Sequence, residues 1–258
     1  MNGLKVKHLI IIIVLVIVSL FIPSIPQDLS YHDFADKKTL LGINNFADVV
    51  SNVGFLFVGI NGLYYLKKHD KSLSTIVYFL GLILTCFGSA YYHYNPSNNT
   101  LFWDRLPMAI VFMILASKFL EEMVNKKFGN KLIQLLFVIF GVFSVVWWLL
   151  FDDLKYYIVV QFLPLVYMIY KLYRQRGEYN NFNLYMALGF YILAKILEVA
   201  DKSVFALTGN MISGHTLKHI AAAIGSYYAG LFVLEKKDYV LYDDAYNDYS
   251  DSDYNESV

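Results

Sequence analysis

Three histidines, an aspartate and a serine have types and spacings that suggest chemistry. His215 and His219, in Ser213-Gly-His-Thr-Leu-Lys-His, stand at the i, i+4 spacing by which one helix offers a metal two imidazoles. His93 closes Gly88-Ser-Ala-Tyr-Tyr-His, with Ser89 one helical turn earlier and on the same face. Asp104 lies in Trp103-Asp-Arg-Leu-Pro-Met. Three imidazoles fill three positions of a tetrahedral Zn²⁺ and leave the fourth for water, the catalytic rather than the structural arrangement. Zinc lowers the pKa of such a water towards about 7. Each residue also has a plainer reading. A histidine in a membrane helix commonly hydrogen-bonds a neighbouring helix, and Gly88, Ser89 and Ala90 allow close helix packing. Asp104 suits an N-cap just before Leu106 and Pro107. HxxxH alone is a weak signal and lacks the glutamate of a soluble metalloprotease motif.

The elements that must position these residues are membrane helices. Of the 258 residues 57% are apolar and only 16% charged, and mean hydropathy is +0.47, whereas soluble domains carry roughly 25% charge. Seven hydrophobic stretches, at about 46–66, 72–94, 104–122, 131–151, 155–173, 183–201 and 214–235, are each near the roughly 20 residues that cross a bilayer. They lack the alternation of barrel strands, so helices are the economical reading. An eighth segment, His8 to about Ile25, follows Lys5 and Lys7 and ends at Pro23 and Pro26. It reads as an uncleaved anchor or a signal segment, with the anchor favoured because no A-x-A-like site is present. The expected fold is therefore all-α: a bundle of seven core transmembrane helices plus one extra N-terminal hydrophobic helix. The expected organisation is 1–30 as anchor or signal segment, 31–237 as the helical domain and 238–258 as a disordered acidic tail.

Positive charge alternates between the connections. Lys67, Lys68 and Lys71, then Lys126, Lys127 and Lys131, then Lys171, Arg174 and Arg176, and finally Lys236 and Lys237 mark one side as cytoplasmic. The connections Asn95–Trp103, Asp152–Lys155 and Lys202–Ser213 fall outside. Both termini then face the cytoplasm if the first segment is retained, and the histidines, Asp104 and Ser89 share the outer or luminal side. Zero net charge argues against a nucleic-acid partner, and the single Cys86 rules out an internal disulfide or a cysteine metal site. The tyrosines and phenylalanines at span ends suit the membrane interface and need no cofactor. Glu198 and Asp201, with Lys195 and Lys202, end the stretch at 183–201 as either substrate-contacting groups or an ion-pair cluster. Asn98-Asn99-Thr100 matches a glycosylation sequon close to the membrane.

The set Ser89-x-x-x-His93, Asp104 and His215-x-x-x-His219 resembles the signature of the alkaline ceramidases, within the superfamily of seven-helix membrane hydrolases that also contains adiponectin-type receptors. The likeness runs from Tyr31-His-Asp-Phe-Ala-Asp36 and Asp48-Val-Val-Ser-Asn52 to the last span and is closest to microbial phytoceramidase-like members. It implies that His93, His215 and His219 ligate zinc, that Asp104 orients or deprotonates a water, and that Ser89 lines the site and helps steady the oxyanion. The implied reaction cleaves the amide of a ceramide-like lipid to a sphingoid base and a fatty acid. Some animal members carry a tryptophan-containing calcium site before their first helix. No tryptophan precedes Trp103 here, so Ca²⁺ is assigned to no residues, although Asp33, Asp36 and Asp48 offer suitable oxygens. Two other classes stay open: a receptor or sensor of a lipid-like ligand whose zinc is structural, and a proton-coupled transporter using His93 and Asp104 as relays.

Overall fold

The computed structural model describes residues 21–66, 72–174 and 181–234. The first hydrophobic segment up to residue 20, the lysines at 67, 68 and 71, Arg176, Lys236, Lys237 and the C-terminal tail lie outside the described residues. Within them the chain is almost wholly helical and has no strand, only an isolated bridge between Leu40 and Ile43. The helices are α1 Phe46–Val50, α2 Val53–Leu66, α3 Leu73–Tyr94, α4 Asn98–Met123, α5 Lys131–Phe151, α6 Lys155–Arg174, α7 Phe182–Val199, α8 Asp201–Leu207 and α9 Gly214–Leu234. Six of these stretches, α1 with α2 counted together, are long and apolar enough to cross a membrane. The chain is a multi-pass membrane protein.

The exception, α4, is the most informative helix. Its 26 residues span about 39 Å at 1.5 Å per residue, ample for a hydrocarbon core of about 30 Å. Its charges keep its hydropathy low, yet it packs against α3, α5 and α6. Each charge is accommodated. Lys118 Nζ donates to Glu121 Oε2 at 2.8 Å, and Lys126 Nζ donates to Glu122 Oε2 at 2.9 Å. Arg105 is buried among rings, its guanidinium 4.3 Å from the Trp148 ring centroid and 4.9 Å from that of Tyr157.

The start of α4 corrects the sequence reading. The helix begins at Asn98, capped by Ser97 in a reciprocal box with Thr100, so residues 98–103 are helical rather than connecting. Asp104 therefore lies past the first turn and is not an N-cap. The stretch expected at 183–201 likewise ends at Val199, and α8 occupies part of the expected connection to α9.

Two close approaches set the site end of the bundle. Pro107 has no N–H to give the carbonyl of Trp103, four residues earlier. That carbonyl lies against Gly88 of α3, where any Cβ would collide with it. Gly88 thus brings the α3 and α4 backbones together beside Ser89 and Asp104. In lipid, where apolar burial drives helix association little, such small-residue contacts are the main source of packing. Gly214 does the same for α9, since a Cβ there would meet Leu197 O and Asp201 Cα.

Buried apolar side chains form two clusters. One, near the site, contains Phe34, Tyr92, Leu101, Trp148 and Tyr157. The other contains Phe55, Phe79, Ile114, Phe119 and Phe232. Helix α7 packs chiefly on α9; it meets α6, its predecessor in sequence, through side chains, the Tyr185 hydroxyl donating to Leu172 O at 3.4 Å.

Candidate metal centre

Helices α3 and α9 bring the three histidines together. His93 stands in the last turn of α3, while His215 and His219 occupy the first two turns of α9. The start of α9 is fastened by Ser213 Oγ, which accepts the Thr216 N–H at 2.9 Å, and by Asp201 Oδ1, which accepts the His215 N–H at 2.8 Å. These bonds satisfy N–H groups that a helix start leaves without partners. Asp48 of α1 adds a second tie, accepting from Thr216 Oγ1 at 2.6 Å and Ser213 Oγ at 3.1 Å.

All three imidazoles are buried, and one nitrogen from each lies within 4.8 Å of the other two. Nε2 of His93 and Nε2 of His215 are 3.2 Å apart. Two nitrogens bound at 2.0–2.1 Å to one tetrahedral zinc stand roughly 3.3 Å apart, so this spacing suits a shared metal. His219 Nε2 is buried with no hydrogen-bond partner, while its Nδ1 lies 2.8 Å from Ser51 Oγ. An orphaned buried nitrogen costs about 1–3 kcal/mol in a metal-free protein; beside two convergent imidazoles it could serve a metal ion as a ligand. The donor set, three neutral-capable imidazoles without a thiolate, fits zinc.

Ser89, one turn before His93 on α3, and Asp104, in the second turn of α4, are both buried. A cavity of about 360 Å³ reaches this end of the bundle and is lined by residues of α4, α6, α7 and α9, with Asp104 on its wall. Its walls are mainly apolar, including Leu115, Phe162, Leu165, Met168 and Leu188.

Several participants were not singled out from the sequence. The segment before α1 forms a cover: the Phe34 ring lies 4.6 Å from the His93 ring and 4.5 Å from that of His215. The cover is held by many bonds. Arg105 Nη2 donates to Gln27 Oε1 at 2.7 Å, the Tyr31 hydroxyl donates to Glu198 Oε1 at 3.3 Å, and Ala35 N donates to Asp201 Oδ2 at 2.8 Å. His32 Nδ1 lies 2.8 Å from the Tyr92 hydroxyl and its Nε2 lies 3.0 Å from Asn98 Oδ1, so the sequon asparagine is engaged in the fold. Lys218, between the two histidines of α9, places Nζ 3.0 Å from His215 Nε2 and 3.1 Å from Glu198 Oε1. Of the aspartates that offered calcium oxygens, Asp36 and Asp48 are buried, whereas Asp33 pairs with Lys37 and Lys202. Among the described residues, only the three histidines form a cluster with metal-ligating spacing.

A protein-family model described as Ceramidase matches residues 41–242, most of the chain. No protein of curated function matches it.

Proposed function

The chain belongs to the ceramidase family, and from that premise we propose that it is a zinc-dependent membrane hydrolase cleaving the amide of ceramide or a related N-acyl lipid. The products are a sphingoid base and a fatty acid. The observation that carries this reading is the meeting of three buried imidazoles, one of them 3.0 Å from Lys218 Nζ, beside an apolar cavity whose wall holds Lys218 and Asp104.

His93, His215 and His219 would hold the zinc, which when bound supplies Lewis acidity and lowers the pKa of a water. The remaining work falls to the chain. Asp104 accepts a proton at its carboxylate from the attacking water and returns it to the departing amine nitrogen. Ser89 lines the site and offers its hydroxyl to the oxygen on which charge develops. Phe34 covers the histidines and keeps bulk water from them. The mainly apolar cavity, lined by both α6 and α7, offers a place for the lipid chains.

Orientation follows from charge. Lys126, Lys127 and Lys131 lie at the end of α4 and the start of α5, and Lys171 and Arg174 end α6. That is the end of the bundle away from His93 and Asp104. By the positive-inside rule, the centre faces the outer or luminal side.

The direct test quantifies zinc in detergent-purified protein and measures amine release from a panel of ceramides and other N-acyl lipids, beside His219→Ala. Stoichiometric zinc and amine release, both lost in the variant, support the hydrolase. Bound zinc without cleavage would turn the reading to a receptor, and protein without zinc would overturn the metal centre.

A further inference from the structure

The polar end of the cavity contains a second cluster, which adjoins the three imidazoles through Lys218. Glu198 of α7 accepts from Lys195 Nζ at 2.6 Å on Oε2, and from Lys218 Nζ at 3.1 Å and the Tyr31 hydroxyl at 3.3 Å on Oε1. Lys195, Glu198, Lys218 and Tyr31 all line the cavity together with Asp104. Side-chain exposure is 36% for Lys195, 18% for Lys218 and 16% for Glu198. The group is thus neither fully buried nor open to bulk solvent.

Placing two ammonium groups and a carboxylate on the wall of an apolar cavity in a membrane is costly, and such groups in membrane proteins usually mark a substrate path. The chemistry of the cluster narrows the ligand. Each ammonium has three donors and a carboxylate about four acceptor sites, so the contacts within the cluster leave both donors and acceptors to offer. A hydroxyl uses both, donating to Glu198 and accepting from a lysine. An anion would meet Glu198 as well as the two lysines and an ammonium the lysines as well as Glu198, whereas a neutral hydroxyl can bond to both signs at once.

Position narrows it further. Lys218 Nζ touches His215 on one side and Glu198 on the other, so the cluster adjoins the place where an amide would be cleaved. In a sphingoid the hydroxyls sit on the carbons next to the amine-bearing carbon. They would therefore meet this wall when the amide is at the histidines.

We propose that Lys195, Glu198 and Lys218 form a subsite for the hydroxylated head of the lipid's amine half, selecting hydroxylated long-chain amides over hydroxyl-free ones. The inference rests on the hydrolase reading. It goes beyond it by assigning head-group selection to residues outside the zinc centre.

The test compares kcat/KM for a ceramide and for an N-acyl alkylamine of the same two chain lengths without hydroxyls, in mixed micelles. Wild type is compared with Glu198→Gln, Lys218→Met and Lys195→Met, with zinc content measured for each. Wild type should prefer the ceramide by roughly tenfold or more, since sites that hydrogen-bond a hydroxyl discriminate strongly against its absence. In zinc-loaded variants that ratio should shrink towards one, through loss of activity on the ceramide. Undiminished preference in the zinc-loaded variants would overturn the subsite while leaving the hydrolase intact. Wild type that cleaves neither amide would overturn both. Lys195→Met, the substitution made furthest from the histidines, decides the matter if the other two variants lose zinc.

Discussion

Ser51 Oγ lies 2.8 Å from Nδ1 of His219, although the two residues are 168 positions apart in sequence. The contact leaves Nε2 of the same ring as the nitrogen that faces its fellow imidazoles. A metal-ligating histidine typically donates its other N–H to an oxygen, which fixes the tautomer and the ring plane, and removing that oxygen costs about 10–100-fold in metal affinity. Ser51→Ala should therefore bind zinc roughly 10–100-fold more weakly in a chelator competition, and Ser51→Thr, which keeps the hydroxyl, should recover most of the loss. Unchanged affinity in Ser51→Ala would show that packing alone orients His219.

Asp104 separates the catalytic from the structural reading. It is buried on the cavity wall, while the three clustered imidazoles belong to other helices. Asp104→Asn should keep zinc at wild-type stoichiometry and lower amine release by about 10²–10⁴-fold, the usual share of a positioned general base. A receptor with structural zinc would tolerate the change in ligand response, and a proton-coupled transporter would lose transport without any metal requirement.

How far the sequence alone reached depends on the range of the interactions. Six of the seven hydrophobic stretches could be read because their own composition suits a bilayer, and His215 with His219 because their spacing lies within one helix. The start of α4 was missed because its capping box, Ser97 with Thr100, sits in a polar stretch that also reads as a loop. Ser51, Phe34 and Arg105 act through contacts between segments far apart in the chain. Nothing in the residues around them marks those partners. Lys218 lay in plain view between His215 and His219, but its role depends on how α7 packs on α9, which brings Glu198 to it.

The approach of α3 to α4 gives a stability test with an internal control. A Cβ at Gly88 would collide with the Trp103 carbonyl, a backbone atom that cannot swing away, whereas at Gly189 of α7 a Cβ would meet nothing within 4 Å. Overpacking of this kind costs about 1–3 kcal/mol. Gly88→Ala should therefore lower the thermal midpoint in detergent, and should lower amine release as Ser89 and Asp104 move apart. Gly189→Ala, gaining helix propensity of up to about 1 kcal/mol, should leave the midpoint unchanged or raise it. Equal behaviour of the two variants would deny the close approach.

The cover over the histidines has a pH signature at Asp33. Its carboxylate accepts from Lys202 Nζ at 2.7 Å and Lys37 Nζ at 2.6 Å, and these two ammonium groups hold its pKa down to about 2 from the ordinary 3.8. Lys202 is correspondingly raised. Because the folded pKa is the lower one, the contribution is present above about pH 3.8 and is lost as pH falls through about 2. Asp33 is solvent-exposed, so screening keeps the effect small and salt-sensitive. Asp33→Asn should lower the thermal midpoint slightly, by the same amount at every pH from 8 down to about 4. The difference from wild type should then close as pH approaches 2, and should shrink at any pH in high salt. A difference that instead closed near neutral pH would mean that a group other than Asp33 holds the cover to α8.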